Sequence, residues 1–195
     1  MQGKELLQRY RRRLHSGDVE VREIRDEESD EVAALLTDVF AEEMGTRYRP
    51  YLLQQVGNYV KDKRRASPDV VCLVAVHVER DSGQEHVVGT AEVSFEATTR
   101  STYQLQPPDE HAYMCNLAVA ETHRRMGCGS LLLASCEELA MLFGKEELYV
   151  HVRLVDEPAR KMYRKTGYHT WKMEGPMMSI GRRRRALLRK KLTAG

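Results

Sequence analysis

Residues 113–130 constrain what this chain can fold into more than any other stretch. Tyr113-Met114-Cys115-Asn116-Leu117-Ala118-Val119 is an apolar run of strand length, and after a polar turn comes Arg124-Arg125-Met126-Gly127-Cys128-Gly129-Ser130. From there an apolar pattern predicts a helix over 127–143. A strand that passes through a basic, glycine-containing loop directly into a helix makes that junction a cradle for an anion. The first N–H groups of a helix lack intrahelical partners, and the aligned peptide dipoles place about half a positive charge at that end. Gly127 and Gly129 carry no Cβ, so the main chain can turn tightly and come within hydrogen-bonding distance of a pyrophosphate. Arg124 and Arg125 add forked, charge-assisted donors.

Two common phosphate loops do not fit. A Walker loop needs a Lys-Ser/Thr pair after its second glycine, but Ser130 is followed by Leu131; the dinucleotide fingerprint needs a third glycine where Leu132 stands. What remains is Arg-x-x-Gly-x-Gly. Downstream lies a second block, Asp156-Glu157-Pro158-Ala159-Arg160-Lys161-Met162-Tyr163-Arg164-Lys165-Thr166-Gly167-Tyr168. Over about residues 70–180 the two blocks together resemble the GCN5-related N-acetyltransferase (GNAT) superfamily, whose second motif reads Asn-x-x-Ala-x-x-x-Tyr-x-x-x-Gly-Phe. Asp156 stands for the usual Asn and Tyr168 for the usual Phe, both conservative changes.

The resemblance implies an α/β (α+β) fold: a central mixed, mostly antiparallel sheet of about seven strands, a splayed fourth/fifth strand pair and flanking helices. It also implies acetyl-CoA as co-substrate. Leu117, Ala118 and Val119 would present strand backbone to the pantetheine, and Arg124, Arg125, Met126, Gly127, Cys128, Gly129 and Ser130 would hold the pyrophosphate. Asp156, Glu157 and Pro158 would flank the pantetheine arm, with Tyr163 facing the sulfur.

Length fits one such unit. Its expected divisions are a basic helical extension over 1–14, the acetyltransferase domain over 15–181 and a basic end over 182–195. The formal net charge of the whole is +2. Residues 182–191 contribute +7 and residues 1–14 contribute +4, which leaves −9 for 15–181. An acidic body suits cationic amines. The basic end reads first as a solvated strand, with nucleic acid, ribosomes or another acidic surface as the other partners open to it. No apolar run reaches the roughly eighteen residues of a membrane helix, so no membrane partner is expected, and no signal-peptide core precedes the first strand. Cys72, Cys115, Cys128 and Cys136 show no Cys-x-x-Cys spacing and read as reduced thiols, with no metal expected.

Along the chain, 19–24 alternates as a strand, and Asp30 caps a helix through Phe40 with Val32, Leu35, Leu36 and Val39 on one face. A second helix is predicted from Tyr51 to about Lys63. Residues 70–80 and 86–95 form a hairpin through Asp81-Ser82-Gly83, followed by a strand over 112–119. After the 127–143 helix come a strand at 148–152, a helix at 157–166 and closing strands near 168–173 and 178–180.

Amine acetylation needs an uncharged nucleophile, a polarised carbonyl and a proton for the departing thiolate. Tyr163 suits the last of these roles, because a phenol titrating near 10 stays protonated yet can donate to a thiolate whose acid titrates near about 8.5. In family members that acetylate protein N-termini, a Tyr on the fourth strand and a His on the fifth resemble Tyr113 and His151, which makes these the candidate general base pair. Glu92 and Glu110 stand in reserve. An unperturbed imidazole titrates near neutrality and needs little tuning for this work. A packed Tyr163 and a structural His151 remain the plain alternatives.

An α-amine titrates near 7.7–8.0 and a lysine near 10.4, so a neutral lysine costs about 3.3 kcal/mol more at pH 8. Protein N-termini are therefore the easier substrate, with lysine open. Cys115-Asn116-Leu117-Ala118-Val119-Ala120 and Leu187-Leu188-Arg189-Lys190-Lys191-Leu192 most resemble the plastid GNAT enzymes of plants and algae, which acetylate protein α-amines and lysines in the chloroplast. Residues 1–18 carry arginine but few serines, and they include Glu5 and Asp18; the chain is thus read as a mature form rather than one with a transit peptide. Cytoplasm is the other compartment. Two other functions stay open: acetylation of an arylalkylamine or polyamine, and a non-catalytic acetyl-CoA-sensing module.

Overall fold

A computed structural model describes residues 10–44, 49–100, 104–175 and 184–193. Among these residues are eight strands: β1 (Arg11–Arg13), β2 (Gly17–Glu23), β3 (Val70–Glu79), β4 (Glu85–Ser94), β5 (Ala112–Val119), β6 (Glu147–Arg153), β7 (His169–Met173) and β8 (Arg185–Lys191). They form one sheet in the order β1-β2-β3-β4-β5-β6-β8-β7. β1 with β2, β2 with β3, β6 with β8 and β7 with β8 run antiparallel, while β5 and β6 are parallel. Among the described residues four α-helices accompany them: α1 (Ser29–Met44), α2 (Arg49–Arg65), α3 (Cys128–Leu142) and α4 (Glu157–Lys165).

The chain divides into two compact units, Met1–Glu92 with Asn116–Cys136, and Val93–Cys115 with Glu137–Gly195. In the first, α1 and α2 supply Val32, Ala33, Leu36, Val56 and Val60 to a core shared with Cys72, Val74 and Val76 of β3 and Ala118 of β5. α1 starts one residue before the expected cap. The Glu28 carboxylate accepts from the Arg25 main-chain N–H at 2.7 Å, and Asp30 and Glu31 complement the helix dipole. In the second, Tyr113 and Cys115 of β5 pack with Tyr149 of β6 and Leu187 of β8, flanked by Leu105 and Trp171. α4 is fixed at both ends: the Asp156 side chain accepts from Ala159 N–H at 3.1 Å, and Gly167 exits at φ 92°.

Two expectations change. Residues 1–9 lie outside the described residues, but Arg11–Arg13 are a strand rather than part of a helix. Their pairing partners, Glu20, Val19 and Asp18, are further along the chain, and Arg11 and Arg13 both reach Asp18. The basic end contains β8, an interior strand between β6 and β7; the strand expected near 178–180 lies outside the described residues. Ala186, Leu187 and Leu188 are buried there, while Lys190 and Arg189 carry their charges out to Glu137 (2.6 Å) and Glu147 (3.6 Å). An apolar triplet between so many basic residues carries little core-strand signal of its own, and pairing with β6 supplies the rest.

Candidate active site

β5 carries two kinds of chemistry. Its first half contributes Tyr113, which is 1% exposed. The parallel ladder with β6 runs from Ala112↔Leu148 to Met114↔Val150 and puts Tyr113 opposite Tyr149. Two residues further along β6, His151 points to the same face. Tyr113 Oη and His151 Nδ1 lie 3.0 Å apart, within one hydrogen bond, with their rings edge to face at 72°. The sequence-predicted pair is thus brought together.

Burial, reinforced by the Arg185 guanidinium, pushes the His151 imidazole down to about 4, with Glu174 and the Leu105 main chain pulling the other way. This corrects the expectation of a near-neutral histidine. Near neutral pH the ring is therefore uncharged and a weak base, hydrogen-bonded to Tyr113.

Tyr163 is the buried residue of α4, 4% exposed, and its ring packs edge-on against Tyr168 at 5.5 Å. Asp156, Glu157 and Pro158 form the start of α4. There Asp156 has a structural role as the helix cap, its other oxygen 3.4 Å from Arg153.

The second half of β5 leads to the loop. Asn116 takes a left-handed backbone, φ 53°, which bends the strand before Leu117, Ala118 and Val119. The side chain that stabilises this bend is anchored: Asn116 Nδ2 donates to Glu92 Oε2 and to Tyr59 Oη, both at 3.0 Å, and Tyr59 Oη donates to Glu92 at 2.7 Å. Lys63 Nζ balances the carboxylate at 3.5 Å. Glu92 is only 3% exposed and serves this network, which makes it a holder of the β5 bend rather than a ready base. Tyr59, Lys63 and Asn116 have no signal in the sequence, because the hydrogen bonds of this network span 24 to 57 positions. Glu110, the other reserve base, is exposed beside His111.

At the end of β5, Arg124 Nε donates to Val119 O at 3.1 Å and ties the loop back to the strand. Arg125 (φ 66°) and Gly127 (φ 86°) then form a left-handed turn around Met126, and the first helical bond runs from Leu131 N to Gly127 O at 3.0 Å. The first turn of α3, with Cys128, Gly129 and Ser130, holds no acidic residue. Its free N–H groups and dipole are therefore uncompensated within the helix, which fits a pyrophosphate.

This order of strand, bend, loop and helix is matched by the Acetyltransferase (GNAT) family pattern over residues 31–168. The chain belongs to the GNAT family. It is 35% identical to GCN5-related N-acetyltransferase 5, chloroplastic, of Arabidopsis thaliana over 94% of its own length and 61% of that protein's. An N-alpha-acetyltransferase of Sulfurisphaera tokodaii is 35% identical over 66 residues, 33% of this chain and 40% of that one. Among solved structures, the PaiA N-acetyltransferase of Thermoplasma acidophilum in complex with coenzyme A shares the fold, with TM-score 0.62 and 17% identity over 89% of this chain and 98% of that one. The chain thus spans about three-fifths of the length of the Arabidopsis relative, 61%. Within this GNAT chain no group of three or more metal-ligating side chains gathers among the described residues, the four cysteines are buried and unbridged, and no described helix is long and apolar enough to cross a membrane.

Proposed function

We propose that this protein is an acetyl-CoA-dependent N-acetyltransferase that acetylates protein N-terminal α-amines and, more slowly, lysine ε-amines, by direct transfer. The observation that carries the reading is the hydrogen-bonded Tyr113–His151 pair on adjacent parallel strands.

Acetyl-CoA supplies the activated acetyl group. Arg125 through Ser130 bind its pyrophosphate through the left-handed turn and the first turn of α3, and Arg124 braces that loop on Val119. Leu117 to Val119 offer main-chain groups to the pantetheine on the far side of the Asn116 bend. Glu157 and Pro158 flank the pantetheine arm from the start of α4, which Asp156 caps. Tyr163 donates a proton to the departing thiolate.

A neutral His151 selects the amine. With its pKa near 4 it is a weak sink for the proton of a standing ammonium, so the pair works on an amine that arrives uncharged and relays the proton shed as the new bond forms. At pH 8 about half of an α-amine population is in that form, whereas lysine meets the added penalty of about 3.3 kcal/mol. The name of the Sulfurisphaera relative agrees with α-amine chemistry, and that of the Arabidopsis relative with a chloroplast address, which we include in the proposal.

Mass spectrometry of a peptide pool with free N-termini and internal lysines, after incubation with protein and acetyl-CoA, tests the assignment. Acetylation with α-products in excess is expected. Products confined to added polyamines or arylalkylamines would replace it with the small-molecule reading, and acetyl-CoA binding without any product would leave a sensing module.

A further inference from the structure

The basic strand β1 contributes nothing to the chemistry described above, yet its three arginines are not equivalent. Arg11 pairs with Asp18 at 2.7 Å and Arg13 with the same carboxylate at 3.8 Å. Successive strand side chains point to opposite faces, so Arg12 is turned away from Asp18. It is turned toward the loop: the Arg12 Nε lies 3.0 Å from where a Cβ on Gly127 would stand, and the Cζ and Nη1 atoms lie closer still. Its charge is felt at the first residue of α3, where it pulls the Cys128 thiol down against the larger upward effect of burial. Among the described residues Arg12 has no acidic partner.

The exposed Arg12 guanidinium, beside the positive end of a helix whose first turn carries no acid and a loop already bearing Arg124 and Arg125, gathers positive charge where an anion would be held. The missing Cβ of Gly127 makes the close approach possible. Arg12 also lies outside residues 31–168, the segment that the family pattern covers.

We propose that Arg12 is a direct ligand of the acetyl-CoA pyrophosphate, completing from β1 a cradle that the family motif builds only in part. The proposal rests on the acetyl-CoA reading above. The guanidinium would add forked, charge-assisted donors to the helix N–H groups that hold the diphosphate.

Calorimetric titration with coenzyme A and with 3′-dephospho-coenzyme A tests this on the full chain and on Arg12→Ala, Arg12→Lys and Arg13→Ala. Arg12→Ala is expected to weaken both ligands by about tenfold, as for loss of one charge-assisted contact, with partial recovery in Arg12→Lys. Arg13→Ala, on the same short strand but paired with Asp18, is expected to bind as the unaltered protein does, which controls for disturbance of β1. Equal affinity of Arg12→Ala and the unaltered protein for both ligands would overturn the proposal, and a loss seen only with coenzyme A would move Arg12 to the 3′-phosphate and overturn the pyrophosphate contact. An unaltered protein that binds neither ligand would overturn the acetyl-CoA reading itself, and this proposal with it.

Discussion

The two regions to which the proposed function assigns work are made of opposite materials. The loop from Arg124 to Ser130 is main chain and exposed arginine: left-handed turns, helix N–H groups and charges that stay solvated until a ligand arrives. The Tyr113–His151 pair and Tyr163 are buried or half-buried rings, with the imidazole held uncharged by its surroundings. In the function proposed above, the first would recognise by charge, which acts through water and needs little precision. The second would work by proton placement, which needs burial and fixed geometry. Changes in the loop should therefore alter affinity, and changes among the rings should alter turnover.

The largest expected effect tests the second half of that contrast. Tyr163→Phe should lower kcat by about 10²–10⁴ with acetyl-CoA affinity unchanged, measured by steady-state transfer and calorimetry on one preparation. If turnover persists, the proton donor lies elsewhere. Next comes the network beneath the β5 bend. Glu92→Ala leaves Lys63 and Asn116 without their buried acceptor, and denaturant unfolding should show a loss of about 3 kcal/mol. A loss under about 1 kcal/mol, no more than a surface ion pair contributes, would mean that the bend holds itself.

His151 gives an effect of similar order that depends on pH. The folded protein keeps this imidazole neutral down to about 4, whereas the unfolded chain protonates it near 6.5. The unfolded state binds more protons between those values, so stability is lost as pH falls through that window, by up to about 3 kcal/mol in full. His151→Gln should flatten that slope in thermal unfolding from pH 7 to pH 4; an unchanged slope would show that the histidine is solvated. Smallest is Gly127→Ala, which forces a Cβ onto φ 86° and against Arg12. About 1 kcal/mol of stability should go, with weaker acetyl-CoA binding and unchanged kcat at saturation. A fall in kcat with intact affinity would erase the distinction between the regions.

The contrast also explains what is legible in the sequence. The anion loop can be read there because its chemistry is contiguous: glycines, arginines and a helix start within seven positions, 124–130. Tyr113 and His151 are legible as a pair only through the family resemblance, since their 3.0 Å contact spans 38 positions. The depressed imidazole is not, because its cause is burial within a packed unit. Arg11–Arg13, a strand where a helix is expected, and Arg185–Lys191, an interior strand where a solvated one is expected, depart for the same reason: each is placed by what it pairs with, Asp18–Glu20 in one case and β6 in the other. In the sequence Arg12 is only one more charge, and its approach to Gly127, far along the chain, has no local trace.

The most direct test of the account is the pH dependence of kcat/KM for transfer from acetyl-CoA to a peptide whose only amine is its N-terminus, between about pH 5.5 and 9. Activity is predicted to rise with the deprotonation of that amine, with an apparent pKa near 8 and no inflection near 6.5. An inflection between about 6 and 7, the range of an unperturbed imidazole, that disappears in His151→Gln would show a histidine titrating as an ordinary base, and would contradict the neutral Tyr113–His151 relay.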